Sequence, residues 1–206
     1  MRKDLREILL QPDEQKWLRQ AQEGDAQAFS QLVELYARPV HNLCYRMLGN
    51  TQDAEDAAQE TFLRAFRAIG RYDPKRKFAS WLLSIAANYC IDQHRRARLN
   101  TISLEDSPEA SLGDKAAGPA ARLVQRETHD EVQALLARLD PRDRAAIILY
   151  YWNELSYEEI AAQLSLSESA LKSRLHRARR SLAQAWELSQ QQPSATRSKT
   201  HEEATI

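Results

Sequence analysis

Ser156-Tyr-Glu-Glu-Ile-Ala-Ala-Gln-Leu164, followed by Ser165-Leu-Ser-Glu-Ser-Ala-Leu-Lys-Ser-Arg-Leu-His-Arg-Ala-Arg-Arg180, reads as two helices joined by a tight turn. Ile160, Ala161 and Leu164 form the inward stripe of a short first helix, and Ser165-Leu166-Ser167 is a turn carrying an N-cap serine. Leu171, Leu175, Ala178 and Leu182 then recur at helical spacing on a second helix. The outward face of that helix is basic: Lys172, Arg174, Arg177, Arg179 and Arg180 stand against Glu168 alone. A basic amphipathic helix by itself is usually just a solvated face. Behind an acidic first helix and a serine-rich turn, it has the form of a helix-turn-helix, whose second helix can approach phosphates and offer its first turns to base edges.

Outward from this stretch the chain is helical throughout. It has 206 residues, only five glycines, and abundant Ala, Leu, Gln, Glu and Arg, with no sustained period-two alternation. The patterns predict helices near 13–22, 26–48, 53–69, 78–97, 125–138, 142–152, 156–163 and 167–187. Asp25 caps the second, Gly49-Asn50 closes it, and Asp140-Pro141 opens the helix before the quoted module. Between Asn100 and Arg122 the pattern gives way to Ser, Pro, Gly, Ala and acidic residues, which reads as a linker. The fold expected is therefore all-α, with two small helical domains: residues 1–98, a flexible acidic linker over 99–124, a helix-turn-helix domain over 125–188, and a disordered tail over 189–206.

Charge is balanced, 29 basic against 29 acidic side chains, so net charge does not announce a nucleic-acid binder. Basic charge is local instead, at Arg71 to Lys77, Arg95 to Arg98 and Lys172 to Arg180. Cys44 and Cys90 sit in apolar helical patterns and read as buried small hydrophobes of a reducing compartment. No apolar run reaches the length of a membrane span and no signal-peptide core opens the chain, so a cytoplasmic protein is expected. The five histidines show no paired ligand spacing, and neither a phosphate loop nor a nucleophile motif occurs. An enzyme, a metal site or a cofactor is not expected, nor is a small-molecule substrate.

Two more surfaces can be read. Asp53, Asp56 and Glu60 share one sector of their helix, while Phe62, Phe66 and Ile69 are expected on the opposite, packing side. Acids also favour helix N-termini for purely local reasons. The following helix carries Phe78, Trp81, Leu82, Ile85 and Tyr89 on one stripe, with Tyr72 and Lys75-Arg76-Lys77 before it, Asn88 on its shoulder, and Gln93, Arg95 and Arg96 after it. Aromatic, amide and basic groups side by side can stack an unpaired base, bond its edge and hold the backbone; a purely structural Asn88 fits the pattern equally.

Taken in order, these segments resemble the extracytoplasmic-function (ECF) sigma factors, the small specificity subunits of bacterial RNA polymerase. The resemblance runs through Gly24-Asp25-Ala-Gln-Ala-Phe29 with Leu32 and Tyr36, Asp53-Ala-Glu-Asp-Ala-Ala-Gln-Glu60-Thr-Phe62, Phe78-Ala-Ser-Trp81-Leu-Leu-Ser-Ile85-Ala-Ala-Asn88, Asp92 with Arg95-Arg96, Leu139-Asp-Pro-Arg-Asp-Arg144, Leu155-Ser-Tyr-Glu-Glu-Ile-Ala161 and Lys172-Ser-Arg-Leu-His-Arg-Ala-Arg179. It implies a protein without enzymatic activity that docks on core polymerase through Asp53, Asp56, Gln59, Glu60 and Phe62. It implies capture and melting of the minus-ten element by Tyr72, Lys75, Arg76, Lys77, Phe78, Trp81, Asn88, Arg95 and Arg96. Reading of the minus-thirty-five element falls to Ser169, Lys172, Ser173, His176, Arg177 and Arg180. Its partners would be core RNA polymerase and promoter DNA, with an anti-sigma factor as a further candidate. The alternative is a free-standing helix-turn-helix regulator, which needs only the C-terminal domain and leaves the acidic helix and the Trp81 region without a task.

Overall fold

Eight α-helices build the computed structural model, which describes residues 13–103 and 130–191; among these no strand occurs. The first unit contains α1 (Glu14–Gln22), α2 (Ala26–Leu48), α3 (Thr51–Ala68), a 3-10 turn (Ile69–Arg71) and α4 (Phe78–Ser103). The second contains α5 (130–137), α6 (Pro141–Tyr151), α7 (Tyr157–Gln163) and α8 (Glu168–Gln191). The all-α expectation holds. Residues 104–129 and 192–206, which hold most of the expected linker and tail, lie outside the described residues, and α4 continues through Ser103 instead of ending near 97.

The helix ends are set by side chains where local chemistry puts them. Asp25 accepts hydrogen bonds from the Gln27 and Ala28 amides, Asn50 caps α3 through Asp53 N, and Asp140 caps α6 through Arg142 N ahead of Pro141. Gly49 closes α2 at φ 88°, a conformation that glycine adopts without penalty. Around the long α2, Tyr36, Leu43, Cys44 and Met47 are fully enclosed by α1, α3 and α4. The Tyr36 hydroxyl donates to Glu14 Oε1 at 2.6 Å, and burial first, then this carboxylate, pushes the phenol far above its ordinary range. Cys44 and Cys90 are free, buried thiols in contact; their mutual hydrogen bond and burial hold the Cys90 thiol protonated.

In the second unit, Ile147, Ile148 and Leu149 of α6 meet Ile160 of α7 and Leu171 and Leu175 of α8, all shielded from water. Each such side chain contributes about 1.5–3 kcal/mol on burial. The turn between α7 and α8 passes through Ser165 at φ 53°, with Leu166 N donating to Ala161 O at 2.8 Å and Ala170 N to Ser167 Oγ at 3.2 Å.

The two units are packed together. Buried Arg144 of α6 donates to Met47 O at the end of α2 and, at 2.8 Å, to Ala137 O. His94 Nε2 also reaches Met47 O, at 2.8 Å, Gln133 Nε2 donates to Tyr45 O at 2.8 Å, and the Arg46 guanidinium lies 5.1 Å from the Trp152 ring centre. Burial lowers the His94 pKa below its ordinary value and the Arg144 charge adds to this, outweighing the Met47 carbonyl and Asp53. The neutral ring is thus favoured in the packed state, while a ring released to solvent takes up a proton near about pH 6.5. Stability from this contact is complete above that pH and is lost progressively as pH falls below it and through the lower pKa of the packed ring. Thermal unfolding followed by calorimetry is expected to show a midpoint that drops from about pH 7.5 to about pH 5.5, with a shallower slope in His94→Gln.

Candidate nucleic-acid interface

The loop before α4 is a fixed platform. Gln22 Nε2 donates to Tyr72 O at 2.8 Å and to Ile69 O at 3.2 Å, Asp73 Oδ1 accepts from Lys75 N at 3.0 Å, and the Tyr72 hydroxyl donates to Arg76 O. Burial, with the charges of Glu14 and Asp73, pushes the Tyr72 phenol up to about 12, so this donor persists at any physiological pH. With the loop backbone pinned, Lys75, Arg76 and Lys77 are exposed, and Lys77 Nζ lies 3.2 Å from Glu159 Oε1 across the cleft to α7.

Three aromatics stack behind this loop, but only one reaches the surface. Tyr72 and Phe78 are 5 % and 3 % exposed, which corrects the expectation that both present a face to a base. Their rings lie 5.2 and 5.5 Å from Trp81, which is half-buried, so they support the one indole that a base could meet. Asn88, Arg95 and Arg96 are exposed farther along α4, Arg95 within 3.3 Å of Asp92.

On α3, Asp53 is engaged in the helix cap with Asn50, Asp56 and Gln59 are exposed, and Glu60 pairs with Arg64 at 2.8 Å. The Arg64 hydrogen bond and charge keep the Glu60 carboxyl below its usual range. Phe62 is half-buried against the core. Phe66 departs from expectation: its ring touches Phe29 at 5.0 Å yet remains 45 % exposed, and Leu63 is 50 % exposed. Asp56, Glu60, Leu63 and Phe66 therefore make a mixed acidic and apolar ridge. The steps of three and four between them were visible in the sequence, but Phe66 read there as part of the packing side.

On α8, Ser169, Lys172, Ser173, His176, Arg177 and Arg180 are all exposed along one face while Leu171, Leu175 and Ala178 are buried behind them. The basic face is narrower than the charge count suggests. Arg174 turns back to Asp143 at 2.6 Å and Asp140 at 3.6 Å on α6. Arg179 lies 5.5 and 5.7 Å from the Tyr150 and Tyr151 ring centres and donates to the Tyr151 hydroxyl at 2.9 Å and the Tyr157 hydroxyl at 3.4 Å. Neither the sequence nor its charge pattern marks this clamp, because its tyrosines come from two other helices.

Between the units lies a cleft of about 500 Å³, with Lys75, Arg76 and Trp81 on one wall and Ser156, Glu158 and Ala162 of the α7 region on the other. Among the described residues no cluster of histidine, cysteine or carboxylate side chains could hold a metal ion, and no helix is long and apolar enough to cross a membrane.

Residues 32–99 match the family model for sigma-70 region 2, and residues 129–182 that for sigma-70 region 4. The ECF RNA polymerase sigma factor SigW of Bacillus subtilis is 34 % identical over 183 residues, covering 81 % of this chain and 93 % of that protein. The RNA polymerase sigma-H factor of Pseudomonas aeruginosa is 31 % identical, covering 86 % and 96 %. Among solved structures, CnrH in complex with the cytosolic domain of CnrY superposes with a TM-score of 0.63 at 28 % identity, over 85 % of this chain and 97 % of that one. The sigma factor RpoE of Bartonella quintana, solved with the anti-sigma factor NepR, shares the fold at a TM-score of 0.61 and 24 % identity, over 78 % and 97 %.

The clamp separates an anchored cation on α8, Arg179, from solvent-facing ones such as Arg177. Arg179→Ala is expected to cost about 1–2 kcal/mol in urea unfolding, from a lost cation–π contact and hydrogen bonds. Arg177→Ala should stay within about 0.5 kcal/mol of the parent. Equal losses in the two variants, measured by circular dichroism, would contradict the division.

Proposed function

The chain belongs to the ECF sigma factors of the sigma-70 family, and from that membership we propose how its named surfaces share the work of promoter recognition. As a sigma factor it joins core RNA polymerase and directs sequence-specific initiation at promoter DNA. The family is a non-catalytic specificity subunit, and we infer that this chain carries no catalytic centre of its own and works in the cytoplasm.

The unit formed by α1 to α4 docks on the polymerase through Asp56, Gln59 and Glu60, with Leu63 and Phe66 adding apolar area to the same ridge. Its other surface, Lys75, Arg76, Lys77, Trp81 and Asn88 with Arg95 and Arg96, takes the minus-ten element as single strand. Melting costs a few kcal/mol per unstacked base, which a pocket that stacks and hydrogen-bonds a flipped base offsets in part. The α5 to α8 unit reads the minus-thirty-five element as duplex through Ser169, Lys172, Ser173, His176, Arg177 and Arg180. Neither contact needs to be strong alone, because holding both on one enzyme raises their joint affinity through effective concentration.

The observation that supports this reading most is the ordered pair of units, one carrying an exposed basic loop and half-open indole, the other a helix that buries Leu171, Leu175 and Ala178 and exposes Ser169, Lys172, Ser173, His176, Arg177 and Arg180. Run-off transcription with purified core polymerase and a promoter library tests it. New, sequence-defined start sites should appear only when the chain is added, whereas identical starts with and without it would refute the reading.

Two substitutions probe the surfaces. Replacing Asp56 and Glu60 by Lys is expected to lower co-purification with core polymerase by roughly tenfold or more while helix content is unchanged, since like charges at an interface are strongly disfavoured. Arg177→Ala should cost about 1–3 kcal/mol at the upstream element and leave downstream melting intact; a loss confined to the downstream element would show the two units interchanged.

A further inference from the structure

One side chain of α1 holds the basic loop in place, although α1 carries none of the residues assigned to DNA. Gln22 ends α1, and its amide NH2 has two N–H groups to give. Both meet backbone oxygens just ahead of the loop, Tyr72 O at 2.8 Å and Ile69 O at 3.2 Å. Ile69 O also accepts from Tyr72 N at 3.0 Å, so Gln22 spans the 3-10 turn from its first residue to the one that follows it. The far end of α1 is anchored in the core: Glu14 Oε1 accepts from the buried Tyr36 hydroxyl at 2.6 Å, and Leu18 and Ala21 are buried between the two ends. Beyond Tyr72 the loop bonds to itself, through Arg76 N to Asp73 O at 3.0 Å, Lys75 N to Asp73 Oδ1 at 3.0 Å and the Tyr72 hydroxyl to Arg76 O. Those internal bonds set the shape of the loop, whereas Gln22 sets where that shape stands against α1 and α2.

We propose that Gln22 is a positioning residue for the minus-ten element, fixing the stance of the loop and with it the base that the surface prefers, without itself touching DNA. The proposal rests on the assignment of Lys75, Arg76, Lys77 and Trp81 to that element. Tyr72 is where the effect divides. Its carbonyl takes one Gln22 bond, its ring lies 5.2 Å from the half-buried indole of Trp81, and its hydroxyl closes the loop that carries the three cations. Moving Tyr72 therefore changes the spacing between a stacking surface and the cations that hold the phosphates. Phosphate contacts set the register of the strand and base contacts choose among sequences, so a shift of one against the other falls on selectivity. A recognition surface is only as exact as the residues that support it. Without the Gln22 amide, Tyr72 O loses its hydrogen bond and is drawn toward water, and the loop turns with it.

The test is the base profile of initiation by holoenzyme assembled from the full chain and core RNA polymerase, read on a promoter library randomised across the minus-ten element. Gln22→Met keeps the length of the side chain and removes both donors. It is expected to lower discrimination between the preferred and the next base roughly threefold to tenfold, as fits the loss of hydrogen bonds to partly buried carbonyls. Co-purification with core polymerase and preference at the upstream element should change less than about twofold. Gln22→Glu has the same shape but turns oxygens toward both carbonyls, and should flatten the profile at least as far. Tyr72→Phe removes the closing bond of the loop, and its effect combined with Gln22→Met should be less than the sum, because both act through one loop. Circular dichroism confirms that each variant is folded. An unchanged profile in folded Gln22→Met and Gln22→Glu overturns the proposal. So does a uniform loss at every sequence with the profile preserved, which is the signature of a residue that only stabilises the unit, and so do strictly additive effects with Tyr72→Phe. Permanganate footprinting of promoters opened by holoenzyme carrying Lys75→Ala and Arg76→Ala reads the surface assignment separately. A normal footprint there would remove the assignment itself, whereas an impaired footprint with an unchanged Gln22→Met profile would remove only the positioning role.

Discussion

One carboxylate, that of Glu159, serves two structures at once. Its Oε2 accepts from the Ser156 amide at 2.8 Å and completes the capping box that starts α7, while its Oε1 takes the Ser80 hydroxyl and the Lys77 ammonium of the other unit. A capping box is worth about 1 kcal/mol to its own helix and is a purely local device. Here the same group also ties the helix-turn-helix to the first unit. Other contacts between the units, from Arg144 to the Met47 carbonyl and to His94 and from Gln133 to the Tyr45 carbonyl, fix the other end of that arrangement. These are buried polar contacts at the end of α2, with Gln133 Oε1 and Arg144 Nε left without a partner, so the interface is specified by hydrogen-bond geometry as well as by area.

Physical reasons divide what the chain discloses from what it conceals. Helix ends at Asp25, Gly49, Asn50, Asp140 and Ser167 were legible because capping is settled within three or four residues. So were the apolar stripes Ile160–Leu164 and Leu171–Leu182, since burial repeats at the helical period. The ECF resemblance supplied the order of the surfaces. Contacts between residues far apart in sequence were not legible. Tyr72 and Phe78 look like free aromatics beside a basic loop until Gln22 of α1 and Trp81 of α4 are seen to enclose that loop. Arg174 and Arg179 count as surface charge until Asp143 and the tyrosines of α6 and α7 claim them. Phe66 was misplaced because its neighbour Phe29 covers only one edge of the ring. The packing of the two units rests on pairs such as Ser80 with Glu159, for which no periodicity exists.

That packing changes the meaning of balanced charge. With 29 basic and 29 acidic residues, the chain has no overall attraction for DNA. Its local basic loop faces its own acidic helix, so in the closed arrangement the charges neutralise each other inside one molecule. The acidic and apolar ridge on α3 lies outside this contact and is exposed. The surfaces proposed for docking and for DNA are therefore separate on the chain.

The distance between the two units is the direct measure of this account. Spin labels at Arg71 and Ala162, both exposed, can be introduced through cysteines because Cys44 and Cys90 are fully buried and escape labelling. Pulsed dipolar spectroscopy should give a single narrow distance in the free chain, replaced by a longer one when core RNA polymerase is bound. A broad, long distribution in the free chain, or the same narrow distance in the holoenzyme, would contradict it.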